Sequence, residues 1–306
     1  MRFRPLGGSG MAVSAVSLSL SDSPTRTTPQ AWQQLIYAAF ENGINAFEVV
    51  GRQPSLIEGL SQAIQAVERR LVFVALRLGP VVSPAGAILR DFSPDSLLLS
   101  LESFLGRTGL DYVDAVILDD PQVEELSPQA LDGLKAMREA GRARMLGVAG
   151  QDAAIDAYIS AGAFDLLCTP FNLVSGWKER LRLKAAMERD MAVLGYGYFP
   201  EQFQGKGGAA PQKKVGWLGG SDHPLAGVGT YAFLDRTPNW TAEELCLAYA
   251  LTEPTLATVQ INADRIDRLE ALSEVPERDL PTGVGAQIEM ARFTPGDPAQ
   301  KKARRA

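Results

Sequence analysis

Residues 111–121 read DYVDAVILDDP, and this stretch decides the fold. Val113 to Leu118 is a nearly unbroken apolar run of strand length, the pattern of a strand covered on both faces, as in a parallel sheet. The run ends in two carboxylates, Asp119 and Asp120, followed by a proline. The carboxyl end of such a strand is where α/β folds place their chemistry. Just upstream, SPDSLLLSLESFLGRTG (93–109) opens on a serine cap and closes on glycine, predicting the helix that delivers the chain to this strand.

The same alternation extends in both directions. Toward the N-terminus lie a hairpin around LGGSG (6–10), the apolar AVSAVSLSL (12–20), a helix from Pro29 to about Glu41 ended by Gly43, and NAFEVV (45–50). A helix from Pro54 to about Glu68 then leads into LVFVALRLG (71–79). Toward the C-terminus follow helix 127–140, RMLGVAG (144–150), helix 152–161, DLLCTP (165–170), helix 176–190 and MAVLGYGYF (191–199). Helix 241–252, LATVQINA (256–263) and helix 265–274 complete the series. Eight strand–helix units favour a closed (β/α)8 TIM barrel with an N-terminal β-hairpin over an open doubly wound sheet, because repeated right-handed crossovers close the sheet and remove its edges. No G-x-G-x-x-G turn opens any of the helices, which counts against a Rossmann fold.

Composition narrows the function classes. With 306 residues and 46% apolar content the chain can bury a large core, read here as one barrel over 1–295 with a long loop at 200–240 and a disordered basic tail at 296–306. A formal charge of −6 opposes a broad nucleic-acid footprint; the local exception is the tail QKKARRA (300–306), read as a solvated end. No apolar run approaches the ~18–20 residues of a membrane span and the first twenty residues lack signal-peptide features, so a cytoplasmic location is expected. The two cysteines, Cys168 and Cys246, sit in separate apolar segments and read as small core residues, offering neither a disulfide framework nor a metal knuckle. The one histidine, His223, falls in the long loop, whose Gly-, Pro- and Lys-rich GKGGAAPQKKVGWLGGSDHP (205–224) is expected to be mobile without ligand.

Over nearly its whole length the chain resembles the aldo-keto reductase family. MRFRPLGGSGMAVSAVSL (1–18) is similar to that family's opening hairpin and first strand, AFENGINAFEVV (39–50) to its second strand, and DSLLLSLESFLGRTGLDYVDAVIL (95–118) to its third helix and fourth strand. LKAMREAGRARMLGVAG (134–150) resembles the next helix and the fifth strand, while FNL (171–173) and YGYF (196–199) fall at the sixth and seventh. The resemblance implies a barrel that reduces carbonyls with a nicotinamide hydride, a tyrosine protonating the product oxygen with help from lysine, aspartate and histidine. All four positions differ here. FEVVGRQP (47–54) stands where the family has D-T-A-x-x-Y-G, placing Glu48 for the aspartate and, within about a residue, Gln53 for the tyrosine; Arg77 replaces the lysine, and Asp119 the histidine.

Each replacement has a chemical consequence. Glutamine has no ionisable proton to give, arginine stays charged and cannot relay one, and Asp119 beside a cation cannot imitate a neutral imidazole donor. An ion-pair cluster of Glu48, Arg77 and Asp119 across the barrel mouth is therefore expected. The resemblance also implies cofactor positions. Ala149, Gly150 and Cys168 align with the side chains that hold the nicotinamide amide, and Ser17 and Ser19 stand for glycines of the first strand. Tyr196 aligns with the aromatic that stacks on the ring, and Arg268 with a phosphate-region arginine followed here by Ala271 and Leu272. Asp264 would repel a 2′-phosphate, so that NAD(H) is preferred over NADP(H) if a dinucleotide binds. Within the family the lost tetrad is similar to that of the KidO-type bacterial homologues. This implies a regulatory, non-catalytic role in cell division and kinase signalling, with the tubulin-like division protein or a histidine kinase as partner. Two alternatives stand beside it: an enzyme of altered chemistry using Glu48 or Asp119, and a residual reductase with Tyr112 or Tyr196 as the acid. No metal site is expected.

Overall fold

A computed structural model describes residues 1–82, 88–204 and 231–293. Most of the 200–240 loop with His223, and the basic tail, lie outside these residues. The first hairpin pairs β1 (Phe3–Pro5) with β2 (Ala12–Ser14) in antiparallel register. Eight parallel strands then close a barrel: β3 (Val16–Leu20), β4 (Ala46–Val49), β5 (Phe73–Leu78), β8 (Val113–Asp119), β9 (Ala143–Ala149), β10 (Leu166–Pro170), β11 (Ala192–Tyr196) and β12 (Leu256–Ile261), the last returning to pair with β3. Between them run α1 (Pro29–Glu41), α2 (Pro54–Gln65), α3 (Pro94–Thr108), α4 (Pro128–Glu139), α5 (Ala153–Ala161), α6 (Trp177–Glu188), α7 (Ala242–Leu251) and α8 (Ile266–Glu274). The (β/α)8 barrel with an N-terminal hairpin is thus the observed fold, and the punctuation behaves as the sequence suggested: Ser93 accepts from the Ser96 amide at the start of α3, and Gly109 ends that helix at φ 70°.

Additional elements were not foreseen. β6 (Pro80–Val82) and β7 (Ile88–Arg90) form a small antiparallel pair above the barrel, and α9 (Val284–Phe293) follows the last unit. The backbone leaves β5 through Gly79, at φ 115° and so close to Phe92 that a Cβ would lie 2.3 Å from its ring. Only glycine fits there.

Strand alternation sorts the core into two shells. Val16, Leu18 and Leu20 of β3 face outward into the layer beneath the helices, while Ser17 and Ser19 on the same strand face in. Inside the barrel, small residues such as Ala46, Ala75 and Ala115 pack in one cluster with Phe73 and Leu166, which Leu6 and Val13 of the hairpin join. Arg4 fixes the hairpin, donating to the carbonyls of Leu251, Glu253 and Leu256 beyond the end of α7.

The opening stretch also carries a buried carboxylate at its other end. Asp114, at the base of β8 and 1% exposed, accepts from the Val74 amide at 2.9 Å and from Arg69 at 2.7 Å. The guanidinium groups of Arg69 and Arg144 lie 4.2 and 3.9 Å from the Tyr112 ring centre. This places Tyr112 at the amino ends of the strands, away from the mouth. Asp114→Ala is expected to cost about 2–3 kcal/mol, because it orphans a buried amide and unpairs Arg69. Urea unfolding would check this, and a loss under about 0.5 kcal/mol would mean that water replaces the carboxylate.

Candidate functional site

The carboxyl ends of β4, β5, β8 and β12 bring Glu48, Arg77, Asp119 and Gln260 to one mouth. Arg77 is the hub. Its Nε donates to Glu48 Oε1 at 2.6 Å, with Nη2 2.5 Å from the same oxygen, its Nη1 donates to Asp119 Oδ1 at 2.7 Å, and its Nη2 to Cys168 Sγ at 3.6 Å. Gln260 Nε2 donates to the other Glu48 oxygen. Glu48 is 1% exposed, so its charge is tolerated only because Arg77 and Gln260 satisfy both oxygens. Burial pulls the Arg77 pKa down, but its neighbours, Glu48 foremost, pull it up by more, and the guanidinium is held above the ordinary arginine range. It is a fixed charge. The expected cluster is therefore formed, with Gln260 as a member that the sequence did not single out.

Gln53 is not part of it. Its Oε1 accepts from the Ser23 amide and its Nε2 donates to the Arg26 carbonyl, each at 3.2 Å, so the side chain ties the segment after β3 to the start of α2. Cys168 lies fully buried inside the barrel, and burial pushes its thiol well above the usual range, which leaves it a protonated core group. Ala149 is buried in the same inner shell. Gly150 has φ 145°, and a Cβ there would lie 2.4 Å from Asp120 Oδ1. Asp120, at φ 52°, has its own carboxyl pushed upward by burial and by neighbouring Asp152.

Above the hub opens a cavity of about 670 Å³. Tyr196 borders it, and burial raises the phenol pKa far from neutrality, which makes it a poor proton donor at pH 7. On the opposite side stands a group that sequence reading missed in part. Arg268 of α8 donates from Nε and Nη2 to Glu243 of α7 at 3.2 and 2.6 Å, and from Nη1 to Asp264 at 3.3 Å. The Tyr198 hydroxyl donates to Glu243 at 2.6 Å. Among the described residues no group of three His, Cys, Asp or Glu is placed to hold a metal ion, and no helix is long and apolar enough to cross a membrane.

The family model for the aldo/keto reductases matches residues 17–292. The chain belongs to the aldo/keto reductase family. Solved structures agree on the fold. The chain is similar to the holo form of aldo-keto reductase AKR11C1 from Bacillus halodurans, with TM-score 0.77 and 17% identity over 98% of this chain and 99% of that one. It is also similar to the glycerol dehydrogenase AKR11B4 from Gluconobacter oxydans, with TM-score 0.73 and 17% identity over 97% and 98% of the two chains.

Family membership implies a nicotinamide dinucleotide, and this aldo/keto reductase barrel can be tested for the means to hold one. The Tyr196 ring remains at the cavity as a stacking surface. Ala149, Gly150 and Cys168, which the resemblance would set at the nicotinamide amide, do not line the cavity and present no polar side chain to it. At the phosphate end the Arg268 fork is already taken by two carboxylates. The chain's residues do not fit the usual grip at either polar end.

Proposed function

We propose that this chain is a regulatory binding module built on an aldo/keto reductase barrel and does not act as a reductase. One observation carries the reading: the group standing where the family keeps its lysine is an arginine locked between Glu48 and Asp119, charged and without a transferable proton. Glu48 is equally immobilised, which weighs against the alternative of altered acid–base chemistry through that residue. In this reading the protein works in the cytoplasm and its output is a contact with another protein. The resemblance points to the tubulin-like division protein or a histidine kinase. NAD(H), disfavouring the 2′-phosphorylated form through Asp264, is the candidate small-molecule input.

Purified protein is expected to consume neither NADH nor NADPH with general aldehydes above about 0.1 per second, against a typical enzyme median of ~10 per second. Cofactor absorbance under saturating conditions checks it. Sustained turnover above that level would restore the reductase reading.

A further inference from the structure

We infer that Glu243 is an internal stand-in for a ligand phosphate, occupying Arg268 and thereby setting a low affinity of the mouth for phosphorylated ligands. The inference rests on the mouth being a ligand-binding site and concerns how that site is regulated.

Geometry comes first. The two-pronged contact of Arg268 Nε and Nη2 with the Glu243 carboxylate, at 3.2 and 2.6 Å, is the fork by which arginine grips a carboxylate or a phosphate. Asp264 takes Nη1 at 3.3 Å, so all three nitrogens of the guanidinium have an acidic partner. Tyr198, 5% exposed, donates to the same Glu243 oxygen as Nη2 does and holds the carboxylate in place. Three elements that are separate in sequence converge on this one acid.

Local structure does not require Glu243. The start of α7 is capped by its neighbours: the Glu244 amide donates to Thr241 Oγ1 at 3.2 Å, and Glu244 Oε2 accepts from the Thr241 amide at 2.9 Å. Glu243 takes no part in that box and turns into the cavity, where its charged partner is Arg268.

Charge then decides what the mouth admits. Glu48, Asp119 and Glu243 bring three negative charges to the cavity lining against two positive ones from Arg77 and Arg268, which leaves the mouth net negative. Both arginines are engaged with acids from the chain itself. A doubly negative pyrophosphate would have to displace Glu243 from Arg268 and leave that carboxylate partly buried beside it, a like-charge arrangement that opposes binding. The contact, held among α7, α8 and the turn after β11, is thus a gate on the phosphate end of the cavity. A ligand without phosphate meets no such barrier.

The experiment is calorimetric titration of the full chain with NADH and with ADP-ribose, which keeps the phosphates and lacks the nicotinamide. Wild type, E243Q, R268Q and the double variant form the cycle. E243Q is expected to bind both ligands about tenfold or more tightly than wild type. R268Q is expected to change wild-type affinity by less than about threefold, yet to erase the gain in the E243Q background. An E243Q affinity within about twofold of wild type, including no detectable binding by either, overturns the inference. So does a tenfold loss in R268Q alone, since Arg268 would then already serve the ligand; this arm stands even if E243Q fails to fold. E243A serves as the second unmasking variant, with circular dichroism confirming a native barrel. Oxidation of NADH by wild type with aldehydes would overturn the non-reductase reading and leave the Glu243 result to stand or fall separately.

Discussion

Replacing Arg77 by methionine is expected to destabilise the barrel by about 3–5 kcal/mol, since removing one partner of a buried ion pair leaves an uncompensated charge. Glu48 is almost fully enclosed by β3, β4 and β5, and Arg77 supplies its charged partner and one of its side-chain hydrogen bonds, Gln260 the other. Asp119 loses its partner in the same step but can turn to solvent, its side chain being 38% exposed, so most of the cost belongs to Glu48. Replacing Glu48 by leucine as well should recover much of the loss, because an apolar pair of similar volume is often as stable as the ion pair it replaces. Urea unfolding of wild type, both single variants and the double variant gives the coupling directly. A loss below about 1 kcal/mol in R77M would show that the hub behaves as a surface pair does and that water reaches Glu48.

The second large effect is an activity that does not return. Tyrosine at 53, lysine at 77 and histidine at 119, introduced together, are not expected to raise carbonyl reduction above about 0.1 per second, roughly a hundredfold short of a median enzyme. Position 53 explains the first part of the failure. Its side chain is engaged with Ser23 and Arg26 at the head of α2 rather than directed at the mouth, so a tyrosine there breaks two hydrogen bonds and still lacks a lysine-paired hydroxyl position. The rest of the expected failure is that a general acid is idle without a positioned hydride donor, and Ala149, Gly150 and Cys168 offer the cavity no polar side chain to position one. Initial-rate measurements on the triple variant test it. Recovery to several turnovers per second would show that the tetrad alone had been missing.

The fold was legible because its signals repeat. A run such as Val113–Leu118 has few alternatives to a buried parallel strand, and eight of them spaced by capped helices constrain one another. The β6–β7 pair escaped notice because its strands are three residues each and Ile88 and Leu89 stay exposed, leaving neither period nor burial to read. Asp119 was found through its place at a strand end, and Glu48 and Arg77 through the family resemblance. Gln260 was overlooked because a single amide within LATVQI says nothing of which face it takes until the barrel closes. Glu243 was hidden differently. Beside the Thr241–Glu244 box it looks like one more acid in a helical first turn, and only the folded barrel brings Tyr198 and the Arg268 of α8 to it.

Arg4 carries a consequence for how the chain assembles. Its guanidinium reaches carbonyls as far as 252 residues away, and the strand that follows the hairpin pairs with β12, so the base of the molecule is sealed by the two ends of the folding unit. Closing so long a loop adds little entropy beyond a shorter one, but non-local closure slows folding. On the ribosome Leu6 and Val13 emerge early and must wait, their apolar faces open to chaperones or to a wrong neighbour, until residues 251–261 have been made. The hairpin is thus made well before the helix end and strand that hold it.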